Sequence, residues 1–482
     1  MPSQGILEKS CVASRINKRV AVCIELPADL ITPIQAFKAL GAEETEAVLL
    51  ESGIKDSDDG RYSFIGIDPN GSFRSKGTKC EINGVCVEGA PLDRLRRFLD
   101  DESCLLPKGV PNMLGRAIGY IAYDTVRLFE KIPHQHETGS DDLFFQVYRT
   151  GLYFDHLEGR IYLATQINVG DCPDDDYATA KEKLESLVEK LSTPVHFVSE
   201  KSSSKGEIIE ELSDLEFCHC VEEAKKYLEK GDAFQIVLSR SFKKQSAANP
   251  LDIYRALRLL NPSPFHFFIN TGSEVLLGAS PERLVKVHEG LVETNPMAGS
   301  RPKKTEDNPL KVQEELLEDP KELAEHAMLV DLARNDLGSV SIPGSVRVSN
   351  YREVKHFSHV MHIVSTVKGK LKADCDALDA LRGTFPAGTL SGAPKVRAME
   401  LIDQIEKSAR GVYGGAICAL DHRGNLDSCI AIRMAQIKNG EVSVRAGAGI
   451  VYDSDPQKEA DETRYKAAAV LKAVSVAEEG EL

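Results

Sequence analysis

The sequence ELAEHAMLVDLARND, residues 322–336, predicts the helix around which the rest of the chain is organised. Asp319 can accept hydrogen bonds from the first unpaired backbone N–H groups, and Pro320 suits the first helical position. Gly338 predicts the end of the helix, because glycine commonly follows a helix C-terminus. Apolar residues between these limits cover a broad part of the helix surface, so we expect most of the helix to be buried.

Two acidic side chains of this helix, Glu322 and Glu325, are three residues apart and therefore lie on one face. A carboxylate is costly to bury unless a cation or hydrogen-bond donors receive it. The simpler interpretation is that Glu322 closes a capping box with Asp319 and that Glu325 is solvated. The alternative is that both carboxylates face a bound cation.

A second helix, near the C-terminus, repeats this arrangement and favours the cation. Asp455-Pro456 opens it in the same way, Glu459 and Glu462 are again three residues apart, and Lys466 follows one turn after Glu462. Mg²⁺ takes oxygen ligands and commonly binds through one or two carboxylates together with substrate oxygens. The two acidic pairs therefore predict a Mg²⁺ site, with Lys466 near an anionic ligand.

Composition argues against several classes of protein. The 482 residues carry a net charge of −15, which disfavours a general nucleic-acid binder and contact with an anionic membrane surface. No apolar run approaches the roughly 18 residues of a membrane span, and the N-terminal segment has no apolar core of a secretory signal. The eleven cysteines are scattered without a C-x-x-C motif, as is typical of free thiols. We expect a cytoplasmic protein that binds neither nucleic acid nor membrane.

Mixed runs of strands and helices predict an α+β fold with large antiparallel β-sheets and helices outside. Residues 1–200 consist mainly of segments that alternate apolar and polar positions, with a turn expected at Asp68 to Gly71. A polar, serine-rich link around Ser202 to Ser204 marks the expected boundary with residues 201–482, which hold the richer set of motifs.

The glycine-rich segments lack the known nucleotide-binding patterns. Residues 388–395, GTLSGAPK, do not have the spacing of a phosphate-binding loop, and Gly447 and Gly449 lack the third glycine of a dinucleotide fingerprint. Gly299, Gly447 and Gly449 mark either tight turns or places where the backbone approaches an anion. Arg433, on an otherwise apolar segment, favours the anion, because a buried arginine pairs with a carboxylate or phosphate.

Together the motifs resemble those of the chorismate-binding enzymes. The chain carries, in one order, PERL, NPMAGSRP, ELAEHAMLVDLARNDLG, HVMHIVS, TFPAGTLSGAPK, RGVYGGAI, AIRMA, AGAGIV and EADETRYKA. The resemblance is dense from about Ser213 to Ala473, and LLES and RYSFIG extend it thinly toward the N-terminus. It implies two large antiparallel β-sheets packed as a sandwich with helices outside, and an active site between the sheets.

The resemblance also implies a role for each matching residue. Glu325 and Glu462 would be direct Mg²⁺ ligands, and Glu322 and Glu459 would act through water. The substrate chorismate would be held by Arg433 and Tyr413 at its enolpyruvyl carboxylate, by Gly447, Gly449 and Lys466 at its ring carboxylate, and by Gly299 and Ser300 beside its ring. Glu282, Thr389 and His362 would surround the reacting carbons. Ser300 stands where the family usually has threonine.

The reaction implied by the resemblance is the amination of chorismate to anthranilate, the first step toward tryptophan. Ammonia attacks C2 while the C4 hydroxyl leaves, and pyruvate is then eliminated. Glu282 could protonate the leaving hydroxyl, and His362 is the candidate for proton transfer in the second step. The simpler interpretation of His362 is a histidine satisfied in the core.

Two positions separate this reaction from those of relatives. Isochorismate and salicylate synthases have a water-activating lysine where this chain carries Gln235, and many aminodeoxychorismate synthases have a nucleophilic lysine where it carries Ala298. A neutral amide cannot act as that base, and alanine offers no nucleophile. Aminodeoxychorismate synthesis stays the nearest enzymatic alternative, and a non-catalytic, tryptophan-sensing subunit is the alternative without catalysis.

Partners and regulation are implied in the same way. Ammonia would come from a separate glutamine amidotransferase subunit, in a heterotetramer of two such pairs. Tryptophan would inhibit by binding at Glu51, Ser52, Asn261, Pro262, Ser263 and Pro264. His266 stands where the family has an apolar residue, so we expect weaker tryptophan binding, since one or two lost apolar contacts cost about 1–3 kcal/mol.

Overall fold

The computed structural model describes residues 19–53, 60–112, 114–170, 172–195, 201, 206–302, 308–356 and 360–481. The serine-rich link expected around Ser202 to Ser204 lies outside these residues.

The strands of the described residues are β1 Arg19–Pro27, β2 Ala47–Glu51, β3 Tyr62–Lys76, β4 Lys79–Ile82, β5 Val85–Val87, β6 Arg116–Ile121, β7 Leu143–Asp155, β8 Arg160–Asn168, β9 Ile209–Glu210, β10 Gln235–Gln245, β11 Phe265–Asn270, β12 Val275–Ser280, β13 Arg283–His288, β14 Leu291–Thr294, β15 Met297–Pro302, β16 Arg347–His356, β17 Val360–Lys370, β18 Gly392–Ala393, β19 Ala416–Asp421, β20 Leu426–Ile430, β21 Met434–Lys438 and β22 Glu441–Ile450. The α-helices are α1 Pro33–Ala39, α2 Pro91–Asp101, α3 Pro173–Ser192, α4 Asp214–Glu229, α5 Pro250–Leu260, α6 Pro309–Glu318, α7 Pro320–Val340, α8 Ala377–Thr384, α9 Gly388–Ser391, α10 Lys395–Ile405 and α11 Pro456–Glu479.

These strands belong to one hydrogen-bonded network that forms two antiparallel layers sharing the long pair β3–β7. One layer has the order β1–β8–β7–β3–β2–β11–β12–β21–β22–β10. The other continues β3–β7–β6–β19–β20–β13–β14–β17, and β15 and β16 also pair with β17. The expected α+β class with large antiparallel sheets is confirmed.

The turn expected at Asp68 to Gly71 is wrong, because β3 continues through it. Asp68 takes a positive φ of 61°, and the register with β7 shifts between Pro69 and Gly71. Such a bulge bends a strand without ending it. The same residues that predict a turn locally therefore let one long strand serve both layers.

The hydrophobic core has one part between the two sheets and further parts between each sheet and the helices on its outer face. Apolar side chains of both layers meet between them, among them Val48, Phe64 and Phe267 from one layer and Ile118 and Ile417 from the other. Helices α1, α3, α5 and α11 cover the outer face of the first layer, and α2, α7 and α8 cover that of the second. This is the sandwich with helices outside that the sequence predicts.

The two acidic helices begin where expected. Asp319 accepts hydrogen bonds from the N–H groups of Lys321 and Glu322, and Asp455 caps α11 by accepting from the N–H group of Lys458. The stop expected at Gly338 is wrong, because α7 runs on to Val340. Leu337 and Val340 are buried in the core, and their packing outweighs the cost of about 1 kcal/mol for a glycine inside a helix.

A buried arginine fixes α11 against the first layer. Arg240, on β10, is fully buried and donates to the Thr463 hydroxyl at 2.9 Å and to the Ala460 carbonyl at 3.1 Å. Its guanidinium also donates to the Leu212 carbonyl at 2.8 Å and lies 5.1 Å from the Phe217 ring centre. The helix that carries the second acidic pair is therefore held at its first turns.

The ten cysteines within the described ranges are all free. In the same part of the chain, no helix combines the length and apolar character needed to cross a membrane.

Candidate active site

A cavity of about 420 Å³ opens between α7, α11 and the strand ends of both layers. Among the residues that line it are thirteen expected from the sequence: Glu282, Gly299, Glu322, Glu325, His362, Thr389, Tyr413, Arg433, Gly447, Gly449, Glu459, Glu462 and Lys466. The fourteenth, Ser300, pairs through its backbone with His362 in the β15–β17 ladder, and its side chain is outside the described set. The structure therefore brings distant motifs to one place.

One end of the cavity is a carboxylate cluster, formed by Glu322 and Glu325 of α7 and Glu459 and Glu462 of α11. Burial raises the pKa of Glu325, and the nearby charges of Glu322 and Glu462 raise it further. Burial also raises the pKa of Glu459. Lys466 Nζ lies 2.6 Å from Glu462 Oε1, so a cation already offsets part of this negative charge.

The donor chemistry of this cluster fits Mg²⁺. Carboxylate oxygens are hard ligands, and a divalent cation would offset both the burial and the repulsion that raise the pKa of Glu325. Within the described residues, no three side chains of acidic, histidine or cysteine type converge closely enough to hold a metal by themselves. The arrangement suits an ion that takes two protein carboxylates and completes its shell with substrate and water oxygens.

A carboxyl group stands apart from this cluster in the interior of the cavity. Glu282 accepts hydrogen bonds from the Thr389 hydroxyl at 3.2 and 3.3 Å. Burial raises the pKa of Glu282 to about 8, although Thr389 and the charge of Lys466 act in the opposite direction. Glu282 is thus protonated at neutral pH and can act as a general acid.

The pKa of His362 is shifted in a way that favours a base, whereas the pKa of Glu282 favours an acid. Its Nδ1 lies 3.0 Å from the Gly299 carbonyl oxygen, which can only accept, so Nδ1 carries the proton and Nε2 does not. Burial lowers the pKa of His362, and the charge of Arg433 lowers it further. A neutral imidazole with a basic Nε2 suits proton abstraction. The cavity therefore holds one acid and one base with separated proton affinities.

Arg433 and Lys466 bring positive charge to the cavity. Arg433 lies between β20 and β21 with a φ of 52°, and its guanidinium donates to the Lys466 carbonyl at 3.1 Å. Lys466 Nζ donates to the Gly447 carbonyl at 3.0 Å. A positive φ is strained for arginine, and such strain is concentrated at functional sites.

There is little space for a side chain at two glycines of this cavity. A Cβ at Gly447 would lie 2.6 Å from the Leu238 carbonyl and 3.0 Å from the Tyr413 hydroxyl. A Cβ at Gly449 would lie 2.7 Å from Gln235 Nε2. Both glycines are among the residues that line the cavity. Gln235 and Ala298, the two positions that distinguish the relatives, also line it.

Sequence reasoning missed two cations of the cavity wall, Lys321 and Arg445. Lys321 lowers the pKa of Glu325, and its position one turn before Glu325 on the same helix was a usable signal. Arg445 donates to the buried Glu406 at 3.1 Å, and Arg410 donates to the same carboxylate at 2.6 Å. No local pattern indicates this second network, because its partners come from distant segments.

A second cavity, of about 460 Å³, lies between the two sheets. Glu51, Pro264 and His266 line it. Glu51 and His266 are opposite one another in the β2–β11 ladder, and the other residues expected for tryptophan binding are in the adjoining segments. These are Ser52 after β2 and Asn261, Pro262 and Ser263 before β11. We refer to this space as the second cavity.

Hydrogen bonds hold the polar groups of the second cavity in place. The buried carboxylate of Glu51 accepts hydrogen bonds from the Tyr254 hydroxyl at 2.8 Å and from Arg258 Nη2 at 3.1 Å, and it forms an ion pair with Arg258. His266 Nε2 lies 3.1 Å from the Asn261 carbonyl, and burial lowers the pKa of His266 to about 4. His266 is therefore neutral at physiological pH.

Comparison with known protein families matches residues 46–472 to the chorismate binding enzyme family. The chain is 40% identical over 475 residues to anthranilate synthase component 1 of Acetivibrio thermocellus, covering 95% of this chain and 96% of that one. It is 39% identical over 471 residues to anthranilate synthase component 1 of Aquifex aeolicus, covering 95% of each.

Solved structures agree. The crystal structure of anthranilate synthase component I from Streptococcus pneumoniae matches with a TM-score of 0.77 at 37% identity, covering 92% of this chain and 98% of that chain. The menaquinone-specific isochorismate synthase of Escherichia coli matches with a TM-score of 0.73 at 21% identity, covering 98% and 99%. At 21% identity, the match to the isochorismate synthase supports the fold alone.

Proposed function

Because this chain belongs to the chorismate binding enzymes and is a homologue of anthranilate synthase component 1, we propose that it converts chorismate and ammonia to anthranilate and pyruvate. The observation that carries the proposal is that Glu282 and His362 line the same cavity, Glu282 with a raised pKa and His362 with a lowered one. The carboxylate cluster, Arg433 and Lys466 line this cavity as well. A binding subunit without catalysis would have no need of separated acid and base groups.

The residues divide the reaction between them. Arg433 and Tyr413 hold the enolpyruvyl carboxylate of chorismate, and Gly447, Gly449 and Lys466 surround its ring carboxylate. Ammonia attacks C2, the ring double bonds shift, and the C4 hydroxyl leaves as water with the proton of Glu282. The new ammonium group at C2 then returns a proton to the Glu282 carboxylate. His362 takes the C2 proton as pyruvate leaves and the ring becomes aromatic.

A bound Mg²⁺ would withdraw charge into the ring carboxylate and favour the displacement. We propose Glu325 and Glu462 as its direct ligands, with Glu322 and Glu459 acting through water. The proposal is supported by the raised pKa of Glu325, which results first from burial and then from the nearby charges of Glu322 and Glu462.

The test is a single assay. Purified protein, chorismate, Mg²⁺ and ammonium are mixed at mildly alkaline pH, and anthranilate fluorescence is followed together with chromatography of the products. Fluorescence that disappears on addition of EDTA supports the proposal. A non-fluorescent aminated product that keeps its enolpyruvyl group contradicts it and favours aminodeoxychorismate synthesis.

The partner and the cellular setting belong to the same proposal. The names of the relatives, component 1, imply a second component, and we assign to it the release of ammonia from glutamine, in a heterotetramer of two pairs. The free cysteines fit a cytoplasmic protein. Residues 1–200 would contribute the tryptophan-site segment around Glu51, and residues 201–482 the catalytic groups.

Removal of His362 is expected to separate the two steps. His362→Gln takes away the base of the elimination while leaving Glu282 to assist the amination. Anthranilate formation should fall about 100-fold, and an aminated product that retains the enolpyruvyl group should accumulate. Chromatography of the reaction mixture measures both products. Anthranilate formation close to the wild-type rate would contradict the role of His362.

Tryptophan inhibition is expected to depend on the charge of Glu51. Glu51→Gln preserves the shape of the second cavity but removes the carboxylate that would receive the ammonium group of tryptophan. The tryptophan concentration for half-inhibition should rise at least about tenfold, since a charged hydrogen bond contributes about 1.5–3 kcal/mol. Each variant is compared with its own activity without tryptophan, and Glu44→Gln, an exposed change nearby, serves as control. Equal inhibition of both variants would contradict this assignment.

A further inference from the structure

One strand connects the two cavities. Glu282, which lines the active-site cavity, directly precedes β13, and Lys286, Val287 and His288 at the other end of β13 line the second cavity. The Glu282 carbonyl accepts a hydrogen bond from the Ile430 N–H at 3.0 Å, at the end of β20. The position of the catalytic carboxyl group thus depends on how β13 lies against β20.

Arg283 is the side chain of β13 that contacts groups on both sides. It is 8% exposed, and its Nε lies 3.3 Å from Asp427 Oδ1. Its guanidinium carbon lies 5.2 Å from the centre of the Phe265 ring. Asp427 and Phe265 both line the second cavity. A ligand there would therefore touch two partners of Arg283.

A further contact of Arg283 leads toward the active site. Its Nη1 donates to Asn295 Oδ1 at 3.2 Å, and Asn295 Nδ2 donates to the Thr366 hydroxyl at 3.1 Å. Met297, Ala298 and Gly299, which follow Asn295, line the active-site cavity. Arg283 is thereby fixed between the two sites by polar contacts with defined directions.

The ladder beside Arg283 is irregular. Arg283 pairs with Cys429, whereas Lys286 pairs with Asp427, so the register between β13 and β20 shifts between these positions. A bulge is a place where a strand can change its twist and re-aim a side chain without losing the rest of its ladder. The bulge is therefore the place in β13 where a small shift would re-aim Glu282.

We propose that Arg283 couples the second cavity to Glu282, so that a ligand bound beside Asp427 and Phe265 shifts the bulged start of β13 and displaces the catalytic carboxyl group. The inference rests on the proposed function, because it takes tryptophan as the ligand. Arg283 acts through Glu282, so it is a positioning residue.

The experiment separates binding from coupling in Arg283→Gln. Tryptophan affinity is measured from the fluorescence of the ligand itself, which the chain permits because it contains no tryptophan. Ammonia-dependent turnover is measured without and with saturating tryptophan. We expect the affinity to change less than about threefold, while the factor by which tryptophan lowers turnover falls about tenfold. A merely structural loss would lower turnover without changing that factor.

Two further variants complete the test. Arg116→Gln is the matched control, because Arg116 lines the second cavity from β6, and it should keep the full inhibition factor at saturating tryptophan. Asp427→Asn weakens the contact between Arg283 and Asp427 by changing Asp427, and it should show the same fall in the factor by which tryptophan lowers turnover. This variant keeps the proposal testable if Arg283→Gln does not fold.

The contradicting outcomes are distinct. Undiminished inhibition in Arg283→Gln or Asp427→Asn, loss of tryptophan binding in Arg283→Gln, or an equal loss in Arg116→Gln would overturn the coupling role. A wild-type protein that neither binds tryptophan nor responds to it would contradict the proposed regulation itself, and the coupling with it.

Discussion

Glu462→Gln is expected to lower Mg²⁺-dependent turnover by about 1,000-fold or more, because the metal contribution to such a reaction is several kcal/mol and each 1.36 kcal/mol is a factor of ten. Glutamine keeps the size of the side chain but loses the negative charge. It also leaves Lys466 without the carboxylate that lies 2.6 Å from its Nζ. The variant should fold normally, since Glu462 is an exposed residue on α11.

The measurement has two parts, so that loss of metal and loss of catalysis can be separated. Calorimetric titration with Mg²⁺ should show weaker binding in Glu462→Gln, and turnover is followed by anthranilate fluorescence. Asp461→Asn is the matched control, because it removes one charge from the neighbouring position, which does not line the cavity. Wild-type Mg²⁺ affinity and turnover in Glu462→Gln would contradict the ligand assignment.

Glu282→Gln is expected to lower turnover between about 100-fold and 10,000-fold, the usual contribution of a general acid. The amide has the shape of the protonated carboxyl group but cannot donate the proton that the C4 hydroxyl requires.

Replacement of Glu282 by glutamine should also change the stability of the fold. The folded-state pKa of about 8 lies above the ordinary value of 4.5, so the carboxyl group stabilises the fold fully below pH 4.5 and progressively less as the pH rises toward 8. Glu282→Gln should therefore unfold at a higher temperature than the wild type at pH 8.

The pH dependence gives an independent check. Turnover of the wild type should decline as the pH rises through about 8, because the acid form of Glu282 is lost. Thr389→Val removes the hydrogen bond that lowers the pKa of Glu282, so this alkaline limb should move to higher pH. Thr389→Ser retains the hydroxyl and should leave the limb in place. An alkaline limb that moves to lower pH in Thr389→Val would contradict the assignment.

Local periodicity explains what the sequence could predict. The caps at Asp319 and Asp455 and the three-residue spacing of each acidic pair depend on neighbouring residues only, and the structure has them as expected. The errors arose where packing outweighs local preference. Gly338 continues a helix because its neighbours are buried, and the residues from Asp68 to Gly71 bend a strand that is held on both sides.

The electrostatics of the site could not be predicted from spacing. Glu282 and Thr389 are 107 positions apart, and their hydrogen bond depends on the packing of distant segments. The same holds for the contact between His362 and Gly299 that assigns the proton on the imidazole. Motif resemblance indicated which residues meet, but burial in the folded chain determines which of them is the acid and which the base.

The interleaved strands have a consequence for synthesis on the ribosome. β6 pairs with β19, which lies about 300 residues later in the chain, and β2 likewise pairs with the much later strand β11. At about 5–20 residues per second, β6 has no partner on its β19 side for roughly 15–60 seconds after it emerges. Exposed strand edges are templates for aggregation, so the nascent chain should need chaperones during this interval. A fragment that ends near residue 200 should accumulate in inclusion bodies, whereas co-expression with the remaining chain should rescue it.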